Sequence, residues 1–317
     1  MSALISGSLA FDTIMVFQDR FRNHILPDKV HLLNVSFLVP EMRREYGGCA
    51  GNIAYNLRLL GGDPLIVATA GRDFASYSDW LDRHQIPKDF VLELDDYFTG
   101  QAFITTDQDD NQITAFHPGA MGEAHRIDIP TGTGASIGIV APNGRQGMID
   151  HAAQLKAAGI PFIFDPGQGL PMFNADELLA FLDQATWCAL NDYEAALVVE
   201  KTGLDFEQLA ERVSALIVTR GAQGSTVLTQ NEQIDIPPVT ARDIRDPTGC
   251  GDAYRAALLL GLERGLPWTV IGRVASLIGA IKIEHLGPQN HRFTQAEFAE
   301  RYLKAFGEPL VGFFDDI

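Results

Sequence analysis

Seven consecutive residues, Asp246-Pro247-Thr248-Gly249-Cys250-Gly251-Asp252, set a carboxylate directly after two glycines and in front of an apolar run, Ala253-Tyr254-Arg255-Ala256-Ala257-Leu258-Leu259-Leu260-Gly261. The run reads as a buried helix, because it is rich in Ala and Leu, lacks Pro, and ends at Gly261 or Gly265. The preceding turn cannot be helical, with two glycines and a proline inside five residues. A glycine turn that feeds a helix start gathers unpaired backbone N–H groups at one point, and the helix dipole adds positive potential there. That combination binds an anion. An isolated Asp at a helix start is ordinarily a cap. Here Gly249 and Gly251 flank a small residue, which lets the backbone approach a ligand closely, and the helix behind them is a rigid support. A base beside an oxyanion cradle is what phosphoryl transfer to a hydroxyl requires.

This stretch resembles the D-T-x-G-A-G-D signature of the ribokinase-like (PfkB) sugar and nucleoside kinases, with Pro247 where Thr is usual and Cys250 where Ala is usual. The resemblance implies that Asp252 is the catalytic base and that the amides of Gly249, Cys250 and Gly251 form the anion hole. Further matches follow in the family's order along nearly the whole chain. Gly7-x-x-x-x-Asp12 puts an acid where the family binds substrate hydroxyls. Gly47-Gly48-Cys49-Ala50-Gly51-Asn52 is similar to G-G-x-x-x-N, which implies a lid hinge at Gly47 and Gly48 and a sugar contact at Asn52. Asn191-x-x-Glu194 is similar to N-x-x-E, whose Glu organises Mg²⁺ and phosphate through water. Thr219-Arg220-Gly221-Ala222-Gln223-Gly224 is similar to the T-x-G-x-x-G turn that lines the ATP site. Asn290 would lie near the adenine, and Asp246 and Thr248 would help hold a monovalent cation such as K⁺. By residue type alone, Asp12 reads better as a turn or cap residue, and Asn191 with Glu194 slightly better as a helix cap with an acid in its first turn; the resemblance reverses that reading for Asn191 and Glu194.

The elements that must position these residues alternate strand and helix. Ala3 to Asp12 reads as one short buried strand ending in an acid, the place where open α/β sheets bind ligands. Residues 14–46 show neither a good helical stripe nor long strands and suit an excursion out of the main sheet; His24 and His31 there have no third ligand at a metal-binding spacing. Ile53, Leu57 and Leu60 mark a helix stopped by Gly61-Gly62. A strand at Leu65–Gly71 and a helix near Ala75–His84 follow. Gln101–Thr106 and Gln112–His117 form a hairpin across the polar turn Asp107-Gln108-Asp109-Asp110-Asn111. With the earlier excursion, the hairpin builds a small β lid from about residues 13–46 and 97–120. Phe103 and Phe116 are candidates to stack on a base, as is His117, though aromatics in a short sheet more often pack. Core alternation resumes with strands at Ser136–Pro142, Ile160–Asp165, Trp187–Leu190 and Ala215–Thr219. Intervening helices fall near Met148–Ala158, Asp176–Gln184, Glu194–Glu200 and Phe206–Val213. A hairpin (Thr226–Leu228, Gln233–Ile236) leads to the central motif. A long apolar helix at Trp268–Leu286 and a last one at Gln295–Phe306 close the chain. This is a single α/β domain over residues 1–317, a doubly wound, mostly parallel sheet flanked by helices with a small β-sheet lid.

Composition narrows the partners. At 317 residues, with 46% hydrophobic and 21% charged residues, the chain can bury one large core. A net charge of −17 argues against nucleic acid or an anionic membrane surface. Local amides, a few cations and Mg²⁺ can still hold a nucleotide. Three scattered cysteines fit neither a disulfide framework nor a metal site, and with no signal-like N-terminus they point to the cytoplasm. P-loop and G-x-G-x-x-G motifs are absent, which disfavours those nucleotide-binding classes. The expectation is therefore an ATP- and Mg²⁺-dependent kinase. His117-Pro118-Gly119-Ala120-Met121 looks more like the nucleoside branch, so the acceptor is the 5′-hydroxyl of a nucleoside such as adenosine. The alternatives are a ribose or fructose kinase and a non-catalytic sensing relative. The oligomer is a monomer or a lid-mediated homodimer.

Overall fold

The structure, a computed structural model, describes residues 2–25, 34–109 and 111–314. His31 and Asp110, named above, lie outside the described residues. From β1 (Ser2–Ser6) the chain passes into β2 (Ala10–Val16) and β3 (Glu41–Gly47), then α1 (Cys49–Leu59), β4 (Asp63–Gly71), α2 (Ala75–Arg83) and β5 (Val91–Leu94). The hairpin β6 (Gly100–Thr106) and β7 (Gln112–His117) follows, then β8 (Ile137–Val140), α3 (Arg145–Ala157), β9 (Phe162–Phe164) and α4 (Ala175–Gln184). Next come β10 (Trp187–Asn191), α5 (Asp192–Thr202), α6 (Phe206–Ala210), β11 (Ala215–Thr219), β12 (Ser225–Thr229) and β13 (Gln233–Ile236). Three helices, α7 (Cys250–Glu263), α8 (Trp268–Ile283) and α9 (Gln295–Phe306), complete the chain.

Among the described residues, nine strands form one sheet in the order β13-β12-β11-β10-β9-β8-β1-β4-β5. Pairing is parallel from β11 to β5 and antiparallel through β12 and β13. The strands are apolar on both faces because both are covered, as parallel sheets require. Ile5, Ile139 and Ile217 join α1, α2, α7, α8 and α9 in one core. Their neighbours Leu4, Val140 and Leu216 join α3, α4, α5 and α6 in the other. This is the doubly wound arrangement expected. Among the described residues no helix is long and apolar enough to cross a membrane.

The second sheet, β3-β2-β6-β7, is the small one. Two corrections arise here. Ala3 to Asp12 is not one strand: β1 stops at Ser6, and Gly7-Ser8-Leu9 carries the chain across to the second sheet, held by Ser8 N–H to the Pro142 carbonyl at 3.0 Å. Asp12 therefore lies within the small sheet and not at the end of a core strand. The segment read as lacking long strands, residues 14–46, holds the end of β2 and nearly all of β3, each a strand of seven residues. β2 is an apolar run buried or half-buried throughout, and β3 carries Glu41, Arg43, Arg44 and Glu45 on its two faces, so neither shows apolar/polar alternation. The four-residue edge strand β5 was also unread.

Candidate active site

Helix α7 begins at Cys250, with Gly249 as its N-cap at φ +81°. A Cβ at Gly249 would meet the Pro288 Cβ at 2.7 Å, so both the left-handed backbone and the tight packing demand glycine. The turn is closed by the Cys250 N–H donating to the Pro247 carbonyl at 3.1 Å and by the Thr248 N–H donating to Asp246 Oδ1 at 2.9 Å. This corrects one expectation: the Cys250 amide is committed to the turn and is not available to an anion. Among the described residues, the N–H groups of Gly249, Gly251 and Asp252 have no protein acceptor. The Cys250 thiol points elsewhere, donating to the Gly279 carbonyl of α8 at 3.7 Å, and burial raises its pKa to about 11.

Asp252 sits in the first turn of α7. Burial raises its carboxyl to a pKa of about 6, while a hydrogen bond from Asn52 opposes that rise. Asn52 Nδ2 donates to Asp252 Oδ2 at 2.8 Å, and Asn52 Oδ1 accepts from Gln289 Nε2 at 2.9 Å. The same Gln289 amide reaches the Tyr77 hydroxyl at 2.9 Å, and that hydroxyl donates to the Gly47 carbonyl at 2.7 Å. A buried chain of hydrogen bonds thus runs from the end of β3 to Asp252. Asn52, expected on a sugar, is almost wholly buried and orients Asp252 in this arrangement.

In front of α7 lies a cavity of about 410 Å³ lined by Asp252, Gly249, Gly251, Glu194, Thr219 and Gly221, among others. Gly224 is not on its wall; it backs onto β13, where an added Cβ would strike the Ile236 carbonyl at 2.1 Å. Asn191 and Glu194 form a full capping box on α5: the Glu194 N–H donates to Asn191 Oδ1 at 2.7 Å, and the Asn191 N–H to Glu194 Oε2 at 2.8 Å. The cap and the cavity role are therefore one structure, because the box holds the Glu194 carboxylate at the wall. Burial and the nearby Asp165 raise the Glu194 pKa.

Arg255 went unnoticed in its apolar run. Its side chain is 5% exposed and binds Asp165 through Nε at 3.1 Å and Nη2 at 3.2 Å, with Nη2 4.0 Å from Glu194. This forked pair forms part of the cavity wall and keeps the guanidinium fully charged. A lone Arg in an Ala/Leu helix, three residues after the base, was the signal that could have found it.

The small sheet supplies Asp12. Its carboxyl is raised to about 6, by burial first and then by the neighbouring charges of Asp246 and Glu45. Gly47 passes so close that a Cβ there would lie 2.5 Å from Asp12 Oδ2. Gly48, at φ +83°, would place a Cβ 2.5 Å from the Ser8 carbonyl. The strand register separates the two aromatics. Asp12, Ala102 and Phe116 stand at one level and share a face, whereas Phe103 pairs with Thr13 and Ala115 one residue on and points to the opposite face. Phe103 therefore cannot line a slot with Asp12. Asn290, expected beside an adenine, is tied to the lid by a 2.7 Å bond to Glu45 Oε2 and is not on the wall of the cavity.

Among the described residues, no group of three His, Cys, Asp or Glu side chains could hold a metal directly. Glu194 on the cavity wall would hold a hydrated Mg²⁺ only through water, because both its carboxylate oxygens already accept from Asn191, Oε2 from the N–H and Oε1 from Nδ2. Asp246 and Thr248 do not fit a monovalent cation. Both Asp246 carboxylate oxygens accept backbone N–H groups, Oδ1 from Thr248 and Oδ2 from Gly287, and its carbonyl accepts from the Lys282 ammonium at 2.7 Å.

A buried carboxyl with a raised pKa beside open helix N–H groups, on a doubly wound sheet with a β lid, fits a phosphotransferase with an alcohol acceptor. The chain belongs to the pfkB family of carbohydrate kinases, whose profile matches residues 12–295. The nucleoside kinase of Methanocaldococcus jannaschii is 30% identical over 274 residues, spanning 86% of this chain and 90% of that protein. Among solved structures, Burkholderia thailandensis nucleoside kinase in complex with inosine superposes with a TM-score of 0.88 at 50% identity, over 97% of this chain and 99% of that one. Its complex with ADP-inosine gives a TM-score of 0.86 at 52% identity, over 97% of each chain.

Proposed function

We propose that this protein transfers the γ-phosphoryl group of ATP to the 5′-hydroxyl of a ribonucleoside such as adenosine or inosine. The observation that carries the proposal is the placement of Asp252 beside the open N–H groups of Gly249 and Gly251 at one wall of the cavity. Asp252 takes the proton from the 5′-hydroxyl as its oxygen attacks the γ-phosphorus. The amides of Gly249 and Gly251 hold the charge that develops on the transferred group, with ADP leaving toward Thr219 and Gly221. Asn52 aims the base, and Asp12 binds ribose hydroxyls from the lid. Mg²⁺ held through water at Glu194 neutralises phosphate charge when bound.

A nucleoside is favoured over a free sugar by the lid face that carries Asp12. There Phe116, 52% exposed, stands with Ala102 and Ile104 as an apolar strip suited to a base. The B. thailandensis relative, described in complex with inosine, supports the same class. Phosphorus NMR of the product from Mg-ATP and inosine tests the regiochemistry. Inosine 5′-monophosphate is expected, with 5′-deoxyinosine giving none; a 2′- or 3′-phosphate would contradict the proposal.

A further inference from the structure

Lys282, in the last turn of α8, is completely buried. Lysine is almost never fully buried without partners. Here the partners are two backbone carbonyls: Nζ donates to Asp246 O at 2.7 Å and to His285 O at 3.1 Å. These carbonyls belong to two different segments. One is the 246–249 turn that shapes the open N–H groups of α7. The other is the 284–290 loop, which carries Gln289 to Asn52 and Asn290 to the lid. Asp246 joins the same two segments through its carboxylate, accepting from Thr248 N–H at 2.9 Å and Gly287 N–H at 2.8 Å. Convergent carbonyl oxygens in a dry site call for a cation, and an ammonium on a fixed stem satisfies them without an ion from solvent.

We infer that the Lys282 ammonium is the built-in cation of this active site: it occupies the position between the Asp246 and His285 carbonyls that a monovalent ion would need, so the enzyme does not use K⁺. Lys282 is a positioning residue, holding the anion-binding turn against the loop that orients Asn52. The inference rests on the kinase reading only for its activity readout, because the melting readout stands without it.

The experiment is a salt series on the wild-type chain with ADP and inosine, comparing thermal melting in choline, Na⁺, K⁺ and Cs⁺ chlorides at matched ionic strength. ADP release from Mg-ATP and inosine is followed in the same salts. The expected result is no K⁺-specific rise in melting temperature and no K⁺-specific activation. A K⁺-specific rise in either would overturn the inference. Absence of turnover in every salt would instead sink the kinase reading, and the melting comparison would still decide the cation question. Lys282→Met is the second arm. Its kcat should fall about tenfold or more, short of the hundredfold or greater loss on removing an anion-hole donor. Part of that loss should be restored by K⁺ or NH₄⁺, which fit the vacated position. An unchanged kcat, or a loss that neither ion touches, would show that Lys282 only packs. If that variant does not fold, the wild-type salt series still decides.

Discussion

At the scale of single residues, Asp252 carries the account. Its carboxyl is raised to about 6 by burial, so kcat/KM should rise with pH through an acid limb near that value. Asn52 donates to the charged form and lowers this pKa; Asn52→Leu should therefore move the limb to higher pH, measured as the full pH–rate profile. Asp252→Asn should cost at least about 100-fold in kcat. It should not cost stability. An acid whose native pKa lies above its ordinary 3.8 disfavours the native state once ionised, so its contribution to stability is lost as pH rises through about 4 to 6. The variant should melt at or above the wild-type temperature at pH 8, and the difference should close near pH 4. A variant that keeps turnover, or unfolds, contradicts the assignment. Asp252 and its glycines were legible in sequence because their spacing alone requires a turn feeding a helix. Which amides stay open was not, since the Cys250-to-Pro247 bond exists only once the turn is closed.

At the scale of elements, the site is a junction of α7, α5 and the lid. Arg255 projects from α7 to Asp165, just past β9, and approaches Glu194 on α5, so one buried cation ties three elements together at the cavity wall. Arg255→Met would leave Asp165 buried without its partner and should cost about 3–5 kcal/mol in denaturant unfolding. The double variant Arg255→Met/Asp165→Asn should recover part of that loss. Recovery of nothing would mean the pair is not what the helix depends on. The core strands and helices were readable because two-sided burial makes long apolar runs. In the lid the hairpin β6–β7 was readable from its polar turn, whereas β2 and β3 were not, because charged residues fall on both faces of β3 and an apolar run in β2 shows no alternation. Strand register was equally hidden, and register decides that Phe116 and not Phe103 shares a face with Asp12. The chain from Gly47 through Tyr77 and Gln289 to Asn52 joins residues up to 237 positions apart, which no local pattern reveals.

At the scale of the whole molecule, a chain of net charge −17 is built to work on a polyanion, and local geometry makes that possible. The positive potential at the cavity comes from the α7 N-terminus with its open N–H groups and from Arg255 on the wall, the latter offset by its partner Asp165. The order of motifs along the chain already implied this architecture. The folded molecule adds the division of labour, with helix α7 packed on the large sheet carrying Asp252 and the open N–H groups and the small sheet carrying Asp12 and Phe116. The measurement that tests the central claim most directly is ADP release from Mg-ATP with a panel of adenosine, inosine, cytidine, ribose and fructose. The account predicts turnover with nucleosides and none with the free sugars. Turnover confined to ribose or fructose would keep the Asp252 chemistry and contradict the nucleoside assignment, and silence on every acceptor would contradict the kinase itself.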